Sequence, residues 1–305
     1  AFTLTLRSVI RLVHGIVFGA TSTATGTIVA QVIPDSRRGE GIGFYSIGAI
    51  LAVALGPFIG IFLLHHADFT LIFVFTTFLA AVSFALSFAV NKPVYETPAP
   101  EDPARTKRFR LSDFLEYKAI PISIMILVIG FSYSGLLTFI SLYAREIRLE
   151  QAASFYFLVY AITVLISRPF SGRLLDVKGP NFIVYPCLLI FAAGMLLFSQ
   201  ATTGVMLLAA GVLLGLGYGN FISSAQAISI KGVPPHRLGL ATTTYFIFVD
   251  LGFGLGPYLL GALVGHTGYR GLYVIMTLVI LASIPLYYFL IGRKASRGSL
   301  LAGGR

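Results

Sequence analysis

The chain has 305 residues, of which 56% are hydrophobic and only 11% are charged. Ordinary soluble domains carry about 25% charged residues, so this composition excludes a typical water-soluble globular protein. The formal net charge of +10 is spread over short segments and does not form one basic face, which argues against a nucleic-acid partner.

Nine apolar stretches follow one another along the chain, each with roughly the 20 residues that a helix needs to cross a ~30 Å hydrocarbon core. A soluble protein can bury one such helix but not nine, so we expect a membrane protein. The predicted crossings are residues 5–33, 40–64, 69–90, 119–143, 152–170, 182–202, 205–230, 239–264 and 269–292. Residues 91–118, rich in Pro and then in basic residues, are predicted to be a cytoplasmic linker. It is a solvated tether, or its basic end lies on anionic lipid headgroups.

Residues 34–57 recur as residues 234–257, and this repeat predicts two similar halves. The spacing of 200 residues is far longer than the ~20–50 residues of a solenoid unit. At this spacing the predicted helices 205–230 and 239–264 match the helices 5–33 and 40–64. Three predicted helices precede the matched pair in the second half, and none precedes the matched pair in the first. We therefore expect residues 1–90 to be an incomplete N-terminal bundle, matching helices 4 to 6, and residues 119–305 to be a six-helix C-terminal bundle with a short cytoplasmic tail. The intact protein would have twelve helices, three of them before Ala1.

The positive charges predict the orientation of the chain in the membrane. If the loop 34–39 is cytoplasmic, 17 of the 22 Lys and Arg residues lie on its side, including Arg168 and the tail from Arg293. Only Arg145, Arg148 and Arg270 lie in loops on the other face. We expect a multi-pass protein of the cell membrane, of the bacterial inner or plasma membrane type, with the linker and the C-terminus cytoplasmic.

A face of small residues runs along the second predicted helix. Gly48, Ala52, Gly56 and Gly60 recur every four residues, which lets another helix approach closely, and Pro57 can kink the helix. Simple helix packing explains the face equally well. The run resembles the antiporter motif in the fifth helix of the drug and metabolite proton-antiporter branch of the major facilitator superfamily.

Two further motifs are similar to those of the same family. Arg11-x2-His14-Gly15 resembles its fourth-helix motif, and the run from Gly172 through Asp176 to Gly179 resembles the second-half copy of its loop signature. The resemblance implies an all-α membrane protein built from two pseudo-repeated helical bundles, with nine of an expected twelve transmembrane helices present. It also implies transport by alternating access, in which the two halves rock around a central site.

Arg11 and His14 are candidates for proton coupling. They share one helical face with Phe18, Ser22 and Thr25. An Arg inside a crossing costs at least ~2.5 kcal/mol unless it faces water or a partner. Arg11 therefore faces a cavity, as a coupling or substrate-orienting cation, or it snorkels at the outer end of the helix. His14 either titrates near neutral pH or is a hydrogen-bonded structural residue.

Asp250 is the third candidate for proton coupling and the only acidic residue deep in a predicted helix. Proton exchange requires a carboxyl that charges and discharges with access to either side. A structural hydrogen bond or ion pair is the alternative. The matched residue in the first half is Ile50, so the repeat itself does not require an acid here.

Stripes of hydroxyl, amide and aromatic side chains are candidates for the wall of a substrate cavity. Such a wall suits a moderately apolar compound, including a cationic one, although the same residues could form interhelical hydrogen bonds. Asp176 and Arg237 are a candidate cytoplasmic gate pair. The cavity candidates are Ser22, Thr25, Ser134, Thr138, Tyr156, Tyr160, Asn220 and Ser223.

Enzymatic motifs are missing from the sequence, which has no phosphate-binding loop and no zinc-binding His-Glu-x-x-His helix. The single Cys187 allows no disulfide, and His65, His66 and Asp68 are better explained as an exposed loop than as a metal site. We expect no enzyme activity, no cofactor and no metal.

The sequence favours a secondary active transporter that exports small hydrophobic or drug-like compounds in exchange for protons. The alternatives are a metabolite uniporter or symporter and a truncated membrane remnant that does not transport. The expected partners are a small-molecule substrate, protons and the lipid bilayer. A monomer is favoured, with the oligomeric state left open.

Overall fold

The computed structural model describes residues 2–66, 69–89, 114–293 and 295, and these residues form helices without any strand. The first six helices are α1 (Phe2–Val32), α2 (Arg38–His66), α3 (Phe69–Ser87), α4 (Ile120–Glu146), α5 (Glu150–Lys178) and α6 (Pro180–Ser199). Helix α7 spans residues 204–230 and contains a π-helical turn at Gly215–Gly219. The run Leu238–Tyr287 is interrupted at Gly268, which separates α8 (residues 238–267) from α9 (residues 269–287).

The predicted all-α membrane architecture is confirmed. Seven helical runs among the described residues are long and apolar enough to cross a membrane, and the longest, Pro235–Gly292, has 58 residues and contains the break at Gly268. Helix α2 is not one of the seven, so the count of nine crossings stays a prediction.

Gly268 folds the chain back on itself between α8 and α9. Its φ of 66° and ψ of 174° lie outside the helical region and favour glycine. Helix α9 then runs antiparallel to α6: the rings of Phe198 and Tyr273 lie 4.9 Å apart at one end, and the Tyr287 hydroxyl donates to Asn181 Oδ1 at 2.9 Å at the other.

Helices α4 to α9 form a bundle around a shared apolar core, in which side chains such as Met125, Phe191 and Leu214 are fully buried. By contrast, α3 has no buried residue within its described part, although it is apolar on all sides. A helix that is apolar all round suits contact with lipid.

Candidate functional site

A cavity of about 1100 Å³ lies between α1 and α2 on one side and α4, α5, α7 and α8 on the other. Its wall is mostly apolar, with a few polar groups. Polar and aromatic residues in the wall include Ser22, Thr23, Tyr45, Ser46, Tyr133, Tyr160, Arg168, Tyr218, Ser223, Gln226, Tyr245 and Asp250.

The two copies of the repeat contribute equivalent positions to this wall. Tyr45 and Tyr245 both line the cavity, as do Ile50 and Asp250. The same spacing of 200 relates six further pairs of lining positions: 18 and 218, 22 and 222, 23 and 223, 46 and 246, 49 and 249, and 53 and 253. The cavity is therefore built on the internal repeat of the chain, in agreement with the expectation of two pseudo-repeated bundles.

The structure brings some of the predicted cavity residues together and leaves others out. Ser22, Tyr160, Ser223 and Asp250 line the cavity, and so does Gly48.

Five predicted cavity residues are not part of the lining. Local hydrogen bonds or burial explain why several of these side chains do not reach the cavity. The Thr25 hydroxyl bonds to the carbonyl of Thr21 and the Ser134 hydroxyl to that of Phe131, so both groups are used within their own helices. The five residues are Thr25, Ser134, Thr138, Tyr156 and Asn220: Thr138 is exposed, and Tyr156 is buried in the bundle core.

Asn220 is a link between helices and not a cavity residue. Its Nδ2 donates to Ser167 Oγ at 2.9 Å and to the Leu216 carbonyl at 3.0 Å. Its Oδ1 accepts from Ser171 Oγ at 2.8 Å. These bonds tie α7, just after its π-helical turn, to α5.

Arg11 and His14 do not contribute to the cavity. Both side chains are exposed on α1, and neither is part of the lining. Their position favours the snorkelling alternative for Arg11, because a long cationic side chain on an exposed helix can reach the interface.

Asp250 lies in the wall of the cavity on α8. Among the described residues it has neither an ion pair nor a side-chain hydrogen bond, unlike Asp35 or Asp176. The carboxyl therefore faces the cavity without a fixed partner among the described residues.

Arg168 is the residue of the cavity wall whose position the sequence analysis predicted wrongly. It was counted among the charges on the cytoplasmic side because the crossing was predicted to end at residue 170. Helix α5 instead continues to Lys178, where the Gly179 N–H bonds to the Leu175 carbonyl and Gly179 takes a φ of 81°. Arg168 is consequently ten residues inside the helix, and it is only 1% exposed. The sequence pair Gly179-Pro180 is typical of a helix C-terminus and could have predicted the end of α5.

Three stacked tyrosines share the cavity wall with Arg168. The rings of Tyr133 and Tyr218 are stacked with their centroids 3.8 Å apart, and the ring of Tyr160 stacks on that of Tyr133 at 5.9 Å. The hydroxyls of Tyr133 and Tyr218 and all three guanidinium nitrogens of Arg168 are buried without a hydrogen-bond partner. Tyr133 and Tyr218 were not predicted, because helical periodicity does not show which faces of separate helices converge.

The small-residue face of α2 does not meet another helix closely within the described residues. A Cβ added at Gly48, Gly56 or Gly60 would have no atom within 4 Å. The expected close approach is therefore not seen at these glycines among the described residues, and it stays a prediction. Ala52, Gly56 and Gly60 instead line a second, apolar cleft of about 330 Å³ between α2 and α3. The side chain of Pro57 lies outside the described residues.

The repeated face on α8 shows the close packing that α2 lacks. A Cβ at Gly252 would lie 2.7 Å from the Leu127 carbonyl oxygen, and one at Gly256 would overlap Ser134. The same motif thus lines clefts in one half and packs against α4 in the other.

The two halves meet at the end of the molecule that carries both copies of the repeated loop, which we call the basic end. Gly39 and Gly172 bring α2 and α5 together so closely that a Cβ at Gly39 would lie 2.6 Å from the Gly172 carbonyl. Asp176 Oδ1 and Oδ2 then accept from the N–H groups of Gly39 and Glu40 at 2.8 and 3.0 Å. Arg38 Nη1 donates to the Ile230 carbonyl at 2.6 Å across the same contact.

The predicted gate pair of Asp176 and Arg237 is wrong for this conformation. Asp176 caps the start of α2 instead, and Arg237 forms an ion pair with Glu116, whose carboxylate is buried. The reason is that Asp176 belongs to the last turns of α5 and not to a loop, as the motif suggested. Gly172 is likewise inside the helix, and Gly179 alone is at its end.

Several predictions lie outside the described residues: the linker up to residue 113, the side chains of His65 and His66, Asp68, and the tail after residue 295. The end of the linker is described, and Lys118 Nζ donates to the Gly232 carbonyl at 2.9 Å.

Comparisons with known proteins agree with the geometry. The family model of the Major Facilitator Superfamily matches residues 3–198 and again residues 150–304. An uncharacterized MFS-type transporter of Methanocaldococcus jannaschii is 24% identical over 270 residues, covering 87% of this chain and 69% of that protein. The multi-drug resistance efflux pump PmrA of Streptococcus pneumoniae is 26% identical over 280 residues, with 89% and 69% covered. The crystal structure of the human organic anion transporter MFSD10 shares the fold, with a TM-score of 0.68, 15% identity, and 87% and 67% covered.

Proposed function

This chain belongs to the Major Facilitator Superfamily and is a multi-pass membrane transporter, and we propose that it exports small hydrophobic or drug-like compounds in exchange for protons. The observation that carries the proposal is the position of Asp250, an unpaired carboxyl in the wall of a cavity large enough for a drug-sized molecule. The similarity to a multi-drug efflux pump supports the direction and the substrate class.

The cavity supports this chemistry because one wall presents both an apolar surface and a titratable group. Phe18, Phe246 and Phe253 provide apolar area for a hydrophobic compound, and Asp250 stands among them. A charged carboxylate in an apolar cavity is costly unless a cation accompanies it, so a bound proton and a bound cationic compound are alternatives at Asp250. In our proposal the proton coupling rests on Asp250, and Arg11 and His14 have no direct part in it.

Alternating access requires the contact at the basic end to open and close. Arg38, Asp176 and the close glycines hold that end together in this conformation. We propose that the basic end is cytoplasmic, as the excess of Lys and Arg there suggests, and that a compound entering from the cytoplasm must first separate α2 from α5. The moving bodies would be residues 1–90 and 119–305, joined by the linker.

The proposal is tested by measuring proton release from reconstituted vesicles on addition of a hydrophobic cationic dye. The wild-type chain should exchange dye for protons, and Asp250→Asn should abolish the proton movement while dye still binds. Glu150→Gln, an exposed acid at the far end of α5, is the matched control and should behave as wild type. Unchanged proton coupling in Asp250→Asn would reject the role of this residue.

A further inference from the structure

The guanidinium of Arg168 is a buried cation to which the described residues provide no anion. Its side chain is 1% exposed, and Nε, Nη1 and Nη2 all lack hydrogen-bond partners. The groups that interact with it electrostatically are the hydroxyls of Tyr160, Tyr218 and Tyr245 and the thiol of Cys187, which are ordinarily neutral at neutral pH. A buried charge without partners is costly and marks a functional site when it occurs inside a membrane.

Arg168 lies inside the fold, between the cavity and the other half, and is not a surface charge. It lines the large cavity, and helix α2 of the other half passes beside it: a Cβ added at Gly43 would lie 3.9 Å from Arg168 Cδ. A ligand held at Arg168 would therefore contact the junction between the two halves. This is where binding energy can influence their relative motion.

The wall of the same cavity includes further potential donors without partners. The hydroxyls of Tyr133 and Tyr218 are buried without partners, and both residues line the same cavity. The guanidinium offers five N–H donors in a planar fork that matches the two oxygens of a carboxylate. Asp250 lies in the same wall but forms no ion pair with Arg168 in the described residues, so this fork is not occupied by the protein.

We propose that Arg168, with the hydroxyls of Tyr133 and Tyr218, is an anion subsite that holds the carboxylate of an amphipathic aromatic or aliphatic acid. The apolar part of the ligand would lie against the aromatic and aliphatic wall of the cavity. This inference rests on the proposed function, because it uses the same cavity, and it adds organic anions to the hydrophobic compounds proposed as substrates.

The experiment compares the binding of an acid with that of its neutral amide, 2-naphthoate and 2-naphthamide, by calorimetry on the purified full chain at neutral pH. Hydrogen bonds to a charged group should make the wild-type chain prefer the acid by about tenfold or more. Arg168→Gln should remove this preference and keep the affinity for the amide. Arg173→Gln, an exposed arginine on the same helix, should retain the preference of the wild type.

Two further variants keep the test decisive if Arg168→Gln does not fold. Arg168→Lys keeps the positive charge but loses the fork, so the preference for the acid should fall without vanishing. Tyr218→Phe removes one hydroxyl and should weaken acid binding by about threefold to tenfold while leaving amide binding unchanged. No preference in the wild type would overturn the proposal, and so would an unchanged preference in Arg168→Gln, or in both Arg168→Lys and Tyr218→Phe.

Failure of the anion subsite and failure of the proposed export give different results in the binding test and the transport test. Acid preference without any exchange of dye for protons would reject the proposed export and leave the anion subsite in place. Exchange of dye for protons without acid preference would leave the export proposal in place and reject the subsite.

Discussion

Replacing Asp176 with Asn should loosen the contact between the two halves at the basic end. Asp176 is the only side chain in the described residues that bonds to the N–H groups of both Gly39 and Glu40, at the start of α2. These N–H groups have no acceptor within their own helix, and the helix dipole places partial positive charge there. The substitution removes the negative charge and turns one acceptor oxygen into an amide group that cannot accept.

The expected cost follows from these two bonds. Losing one hydrogen bond to a charged acceptor, together with the attraction between the charge and the helix end, amounts to about 1.5–3 kcal/mol. Since every 1.4 kcal/mol is a factor of about ten, the population open at the basic end should rise by about tenfold to a hundredfold. By comparison, Asp35 pairs with Arg38 at 2.6 Å but is 86% exposed, and such a surface pair is worth about 0–1 kcal/mol.

The opening can be measured by the reaction of a cysteine placed where α1 of one half meets α8 of the other at the basic end. Thr27→Cys is suitable because Thr27 packs near Gly239 at the basic end, and the natural Cys187 is buried. A charged maleimide should label Thr27→Cys faster when Asp176→Asn is added, and Asp35→Asn should change the rate far less. Equal labelling rates in the two acid variants would refute the view that Asp176 holds the halves together.

Two further substitutions test the packing. Gly252→Ala should destabilise the chain by about 1–2 kcal/mol, because the added Cβ would meet the backbone carbonyl of Leu127 at 2.7 Å. Gly56→Ala places its Cβ in open space, so it should be neutral or stabilising by up to about 1 kcal/mol. Thermal unfolding in detergent measures both, and equal effects would contradict the packing described. Asn220→Ala should lower the stability by about 1–2 kcal/mol through loss of its bonds to Ser167 and Ser171, without changing transport per folded molecule. A loss of transport at unchanged stability would assign Asn220 to the substrate site after all.

The repeat and the hydropathy of the sequence predicted the helices well, since both depend on residue type and spacing alone. The end of α5 was missed because Arg168, Pro169 and Gly172 look like the polar close of a crossing. In the fold Arg168 and Gly172 are buried against other helices, whereas Pro169 is exposed on the same helix. A single sequence contains no direct information on which helix faces another, so the most unusual residue of the cavity was assigned to the surface.

The glycine faces illustrate the same limit. Gly56 and Gly256 occupy equivalent positions in the repeat, and the sequence predicts the same packing for both. The structure packs Gly256 against Ser134 and leaves Gly56 beside a cleft. Their difference arises from the neighbouring helices, which the repeated segment does not encode. The candidate site was predicted in part for the same reason: Asp250 and Tyr160 were found, but the tyrosines opposite them were not.

The break at Gly268 has a consequence for the biogenesis of the protein. A single residue with a positive φ separates α8 from α9. No longer loop is available between them that would let α8 enter the bilayer before α9. Helices α8 and α9 should therefore insert together as a helical hairpin when this part of the chain is synthesised. Asp250, which lies on α8, would then enter the membrane with α9 already beside it. It would not have to enter as part of an isolated helix.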